Sequence, residues 1–411
     1  MLHDPARHEA LLPLAWDEAP VRAMIERIVN DAEAHFLPGH GWPLHPLDVE
    51  DGEDPNQPAM CLRYGACGVI WALQHLQAAG MATLSRSYVD DGEITTLLAR
   101  NRACLQAWGS QDLASYMAGD TAIHMLAFGR HPSAERAGVL AALIAGNVDH
   151  PSRELMWGAP GTLLAALFLH QRTGDTRWAV LFRETAAKLW SQLQWSPEHA
   201  CHHWTQDMYG QQTTYLDGVH GFVGNALPLI RGRHLLDAEA WSAWQACIAN
   251  TVERAATWKG AMANWRDLLD MPAGYSWRRL MQFCHGAPGF VVCLGDFPGT
   301  ALDALLIAAG EAIWAAGPLA KGSNLCHGTG GNGYAFLKLY RRTGDVLWLE
   351  RARAFALHGM VQTSAEAQRL GRMRYSLWTG DLGFAVYLCD CLNGTANFPT
   401  LDVFYEDALK T

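Results

Sequence analysis

The chain twice sets a thiol beside an imidazole, at Cys284–His285 in QFCHGAPGF and at Cys326–His327 in NLCHGTGGNGYAFL. Each pair runs directly into glycines, and a third imidazole, His220, precedes a glycine in DGVHGFVGNAL. Two thiolates and one imidazole make a three-ligand set for zinc, with a fourth position open to water or substrate. Sulfur ligands favour zinc over magnesium or calcium. Two thiolates also cancel the charge of a dication, so a substrate thiol at the open position would give up its proton and remain electron-rich. Spacing alone leaves open which of His220, His285 and His327 completes the set.

Residues this far apart need a scaffold that brings them together, and an internal repeat supplies one. GAPGTLLAALFLHQRTGDTRWAVLFRETA from Gly158 aligns without a gap on GTGGNGYAFLKLYRRTGDVLWLERARAFA from Gly328. Identical residues include Gly158, Gly161, Ala165, Leu167, Leu169, Arg172, Thr173, Gly174, Asp175 and Trp178. The match spans two apolar helices joined by a Thr-Gly-Asp turn. Its leading Gly-x-x-G element recurs at Gly65/Gly68, Gly221/Gly224, Gly286/Gly289 and Gly380/Gly383, and Gly119/Ala122 is a degenerate copy. Seven copies, roughly forty to sixty-five residues apart, predict seven helical hairpins. TLLAALFLH and YAFLKLY read as inner helices, and TRWAVLFRETAAKLW, with charges on one face, as an outer one. One wet and one dry layer, repeated, predict an all-α fold, an α/α toroid closing as one domain over residues 1–411. The seven turns then lie at one pole, where Cys284, Cys326 and the histidines converge.

Composition narrows the partners. The chain has 411 residues, half of them apolar, and a formal net charge of -10. An acidic balance disfavours nucleic acid or an anionic membrane as the main partner, since both need a basic face. The most apolar stretch, ALDALLIAAGEAIWAAG, is interrupted by Asp303 and Glu311 and falls short of spanning length. MLHDPARHEALLPLAW lacks the features of a signal peptide. A cytoplasmic protein without a transmembrane segment is expected, with most of its ten cysteines reduced.

The residues HG ahead of a glycine turn, then CHGAPG, then CHG followed by GYAFL resemble the lanthionine synthetase C-like family, and the seven glycine elements extend the resemblance along the chain. The resemblance implies a double-layered α/α barrel with zinc at one end. It places the metal ligands at Cys284, Cys326 and His327, and the catalytic histidine at His220. It also implies a reaction, the addition of a thiol to dehydroalanine or dehydrobutyrine. The thiol is a cysteine of the same peptide in bacterial lantibiotic cyclases and glutathione in eukaryotic relatives. Those cyclases commonly carry Tyr after the first ligand cysteine and Arg four residues before it, where this chain has His285 and Leu280, with Arg278 and Arg279 nearby. CHGAPG is closer to the glutathione-using branch. Phe283 stands where Trp is usual. On this reading His220 accepts the thiol proton or delivers one to the α-carbon, and His285 orients substrate or stabilises the enolate oxygen.

Other residues invite blander readings. HACHHW (His199, Cys201, His202, His203) looks like a ligand cluster but has no repeat counterpart, and a solvated loop is expected there. Cys389 and Cys391 share no helix face and read as packing residues. Glu154 and Asp217 sit four residues before a turn glycine, and either reach the cavity or are solvated. Seventeen tryptophans and eighteen histidines sustain a rival, a sugar epimerase or glycosidase on an α/α toroid. A non-catalytic barrel that binds a peptide or partner protein is the third reading.

Overall fold

The computed structural model describes residues 1–49 and 59–405. Among these are fourteen α-helices. Seven begin at the glycine turns: α2 (Ala66–Ala78), α4 (Thr121–Arg130), α6 (Ala159–Thr173), α8 (Phe222–Arg231), α10 (Ala287–Leu294), α12 (Thr329–Thr343) and α14 (Asp381–Asn393). Each packs on the next, and α14 packs on α2, so the inner layer closes into a ring. Burial follows the sequence pattern: every residue of α8 except Arg231 is buried, as is every residue of α10.

The outer layer comprises α1 (Glu18–Ala34), α3 (Asp91–Ala107), α5 (Ala134–Gly146), α7 (Thr176–Ser191), α9 (Ala238–Ala255), α11 (Asp303–Ala316) and α13 (Val346–Leu370). These helices bury one stripe only. In α7 the buried residues are Trp178, Ala179, Phe182, Thr185, Ala186 and Leu189, which fall at helical spacing. The α/α toroid is therefore as expected, with one difference in how it closes. No α-helix follows α14 among the described residues, and its outer neighbours are α13 and the first helix, α1. Val21, Ile25, Ile28 and Val29 form the buried face of α1.

The second glycine of each Gly-x-x-G sits where a side chain would strike backbone. A Cβ on Gly68, Gly161, Gly289, Gly331 or Gly383 would overlap the carbonyl oxygen six residues earlier. Each turn thus doubles back tightly against the helix it starts. Main-chain hydrogen bonds then link neighbouring turns into a belt. Arg63 N–H donates to the Met117 carbonyl, Met117 to Met156, Leu155 to Val219, Cys284 to Cys326, Cys326 to Trp378, and Trp378 to Arg63.

Three short antiparallel hairpins interrupt the helices: β1 (Gln194–Ser196) with β2 (Cys201–His203), β3 (Gln206–Met208) with β4 (Gln211–Thr213), and β5 (Ala256–Lys259) with β6 (Met262–Trp265). The first corrects the loop expected at HACHHW. Cys201 pairs in register with Ser196 and is fully buried, and His203 is also buried. The cause is docking onto α9, where Thr251 donates to the His202 carbonyl and Asn250 to that of Ala200. Cys389 and Cys391 are buried in α14, as packing residues should be. No helix among the described residues is long and apolar enough to cross a membrane.

Candidate metal centre

Each turn presents three side chains at fixed distances before its first glycine. The residue four before it caps the turn, the residue two before it belongs to the belt, and the residue immediately before it stands at the lip. In the fourth, fifth and sixth turns these sets are Asp217/Val219/His220, Gln282/Cys284/His285 and Asn324/Cys326/His327. The caps act through short polar side chains. Asp217 Oδ1 accepts the N–H groups of Val219 and His220, and Asn324 Oδ1 accepts that of His327. These contacts hold the chain in the bend, and at the sixth turn the lip residue His327 lines a cavity.

Cys284, Cys326 and His327 converge: one ligand atom from each lies within 4.8 Å of the other two. Both cysteines are buried and His327 is half-buried. The sulfurs have donors of their own. Gln282 Nε2 is 2.9 Å from Cys284 Sγ, and Arg63 Nη2 is 3.8 Å from Cys326 Sγ. A hydrogen bond from Cys284 holds the Cys326 thiol well below its ordinary pKa, against the opposing effect of burial and with help from Arg63 and His327. The same shared proton, with burial, pushes Cys284 up. Two sulfurs competing for one proton, plus an imidazole, form a soft donor set whose ligand atoms lie within 4.8 Å of one another, and soft donors suit zinc.

The other two histidines do not join the set. Each is instead backed by a carboxylate from the preceding turn. His220 Nδ1 is 2.8 Å from Glu154 Oε2, and His285 Nδ1 is 2.7 Å from Asp217 Oδ2. Both carboxylates are fully buried, which overturns the solvated alternative for Glu154 and Asp217. The reason is local: Glu154 also accepts the N–H groups of Met156 and Trp157, so it is the cap of its own turn. Burial disfavours a charged His285, but the Asp217 carboxylate outweighs it and raises the imidazole pKa. Asp217 is lowered, burial opposing and His285 prevailing. The Tyr215 ring lies 6.0 Å from each imidazole.

Two cavities meet at His327. One, of about 900 Å³, runs past Arg63, Tyr64, Trp108 and Trp157. The other, of about 760 Å³, includes Lys321, Arg369 and Arg374. Arg63 went unnoticed in the sequence because it is neither Cys nor His. Its signal was positional, since it stands two residues before Gly65, the register of Cys284 and Cys326. Of the arginines near position 280, Arg278 pairs with Asp267 and Tyr275. Leu280 is buried.

Ring and turns together define a helical toroid with a candidate metal-binding group at one pole, and known proteins share its fold. The chain belongs to the lanthionine synthetase C-like protein family, whose model matches residues 134–403. It is 36% identical over 129 residues to Glutathione S-transferase LANCL1 of Danio rerio, a match covering 30% of this chain and 32% of that protein. It is 43% identical over 88 residues to LanC-like protein GCL1 of Arabidopsis thaliana, covering 19% of each. The matched stretch thus spans about a third or less of these curated relatives. Nisin cyclase has the same fold, with a TM-score of 0.61 at 14% identity, covering 95% of this chain and 99% of that one.

Proposed function

We propose that the protein forms thioethers by adding a thiol to the β-carbon of a dehydroalanine or dehydrobutyrine residue, using Zn²⁺ held by Cys284, Cys326 and His327. The ring acts as one domain over residues 1–411. The observation that carries this reading is the convergence of two cysteines and a histidine within 4.8 Å, beside two histidines that do not compete for the metal. Bound zinc supplies a Lewis acid that makes a thiol acidic at neutral pH.

The chain's own residues do the rest. Glu154 holds His220 by Nδ1, which leaves Nε2 to take the thiol proton and return a proton to the substrate α-carbon. Asp217 holds His285 in the same way, and His285 orients the substrate. Lys321 and Arg369, in the lining of the 760 Å³ cavity, which also carries Glu9 and Glu366, offer cations to a thiol that carries carboxylates, such as glutathione. The 900 Å³ cavity, with Tyr64, Trp108 and Trp157, suits the dehydrated peptide. A cytoplasmic setting fits ten cysteines that form no disulfide among the described residues. Glycosidase chemistry is poorly served, because both buried carboxylates at the site are committed to a histidine and to backbone N–H groups.

The test is a mass-spectrometric assay of the zinc-loaded protein with a dehydroalanine peptide and glutathione. Thioether product is expected, and its rate should fall at least about 100-fold in His220→Asn with zinc content unchanged. A parental rate in that variant removes the role given to His220, and no product from the parent protein removes the proposed activity.

A further inference from the structure

Arg63 is held where an acceptor is missing. Its backbone is locked in the belt: its N–H donates to the Met117 carbonyl at 3.2 Å, and its carbonyl accepts the Trp378 N–H at 2.9 Å. The guanidinium turns inward and, among the described residues, meets two sulfurs. Nη2 is 3.8 Å from Cys326 Sγ, Nη1 is 3.9 Å from Met156 Sδ, and Nε is buried without a partner. Among the described residues no carboxylate pairs with it. Thiolates and thioethers are weak acceptors for a group built to bind planar oxyanions through a fork of N–H donors. A cation this poorly satisfied, in the wall of the cavity that also contains His327, is a site prepared for an oxygen anion that arrives with substrate.

Thiol addition generates such an anion. As the S–Cβ bond forms, the Cα=Cβ π pair moves onto Cα and the adjoining carbonyl, and an enolate oxygen appears. His220 takes the thiol proton and one proton is then delivered to Cα, so the net change is S–H added across C=C with no external oxidant or reductant. Attack at about 3–3.5 Å requires the dehydroamino acid to approach the candidate metal group, one of whose members, Cys326 Sγ, is 3.8 Å from Arg63 Nη2. The two histidines are already tied through Nδ1 to Glu154 and Asp217, whereas among the described residues the Arg63 guanidinium has two sulfurs as partners and a buried Nε without one. Resting on the thioether-forming reading above, we propose that Arg63 is a further catalytic residue, donating hydrogen bonds to the enolate oxygen of the dehydroamino acid.

Two reactions of the same thiol separate this role from a service to the metal centre. Glutathione addition to a dehydroalanine peptide develops charge on oxygen, whereas glutathione alkylation by a simple alkyl halide does not. Zinc-loaded Arg63→Met should keep its zinc, measured by elemental analysis, and should alkylate glutathione within about threefold of the parent. Its addition rate should fall about 100-fold. Arg63→Lys, which keeps the charge but not the fork, should lose about tenfold in addition alone and serves as the readout if the Met variant does not fold. Equal losses in both reactions, or loss of zinc, would reassign Arg63 to the thiolates and overturn the proposal, as would an undiminished addition rate. A parent protein that alkylates the thiol but adds it to no dehydroalanine peptide would instead sink the parent activity, and the Arg63 role with it.

Discussion

The units that begin at Gly158 and Gly328 are nearly the same object with different ends. In both, an extended glycine starts the inner helix, a left-handed glycine ends it (Gly174, φ 67°; Gly344, φ 72°), and an aspartate caps the outer helix. Thr173 and Thr343 each donate to the carbonyl four residues back at 2.7 Å. Trp178 and Trp348 are buried at matching places. Yet the residues just before the glycine are Glu154, Met156 and Trp157 in one unit, and Asn324, Cys326 and His327 in the other. The cap of one unit, Glu154, holds a histidine from the next turn, and the other unit supplies two of the three residues of the candidate metal group. Scaffold and chemistry are thus written in separate positions of the same unit.

The largest effect should come from breaking what the units share. Gly161→Ala and Gly331→Ala each force a Cβ into a carbonyl oxygen, Leu155 in one case and Leu325 in the other. Each should cost roughly 3 kcal/mol or abolish folding, measured by chemical denaturation, and the two should be similar. A well-tolerated alanine at either position would show that the turns are looser than described.

Next comes an exchange of lips. Cys326→Met with His327→Trp gives the sixth turn the residues of the third. Metal content should fall to near zero and thioether formation should be lost, while the melting temperature moves by only a few degrees. A fold that collapses would mean that the lip and the scaffold are not independent. The smallest change is Glu154→Gln, whose one acceptor oxygen keeps only one of the two cap hydrogen bonds and which removes the charge behind His220. A fall of about 10–100-fold in rate with full metal content is expected. An unchanged rate would reduce Glu154 to a turn cap, like Asn324.

The repeat also explains what was legible before the structure. Seven glycine elements revealed the seven inner helices, because a turn that admits no Cβ leaves a mark in composition. Cys284 and Cys326 were legible because thiols beside histidines are rare and these two stand at one register, whereas spacing left the third member open and the family resemblance pointed to His327. Sequence left the place of His285 open between orienting substrate and meeting the enolate, and it named Glu154 and Asp217 without assigning them partners. Those partners come from the adjacent turn in the ring, a relation between neighbours that no local spacing encodes. Arg63 was missed for a similar reason, since its importance lies in the acceptor it lacks. The β1–β2 hairpin was missed because its burial comes from α9, about fifty residues later.

The seam between α1 and α14 has a consequence for how the chain is made. Tyr375, shortly before α14, donates to Asp31 of α1 across 344 positions, and the apolar stripe of α1 finds its main cover only in α14. During synthesis α1 must therefore wait, greasy side unshielded, until α14 leaves the ribosome. Ring completion is the slow and vulnerable moment of biogenesis, when a holding chaperone would matter most.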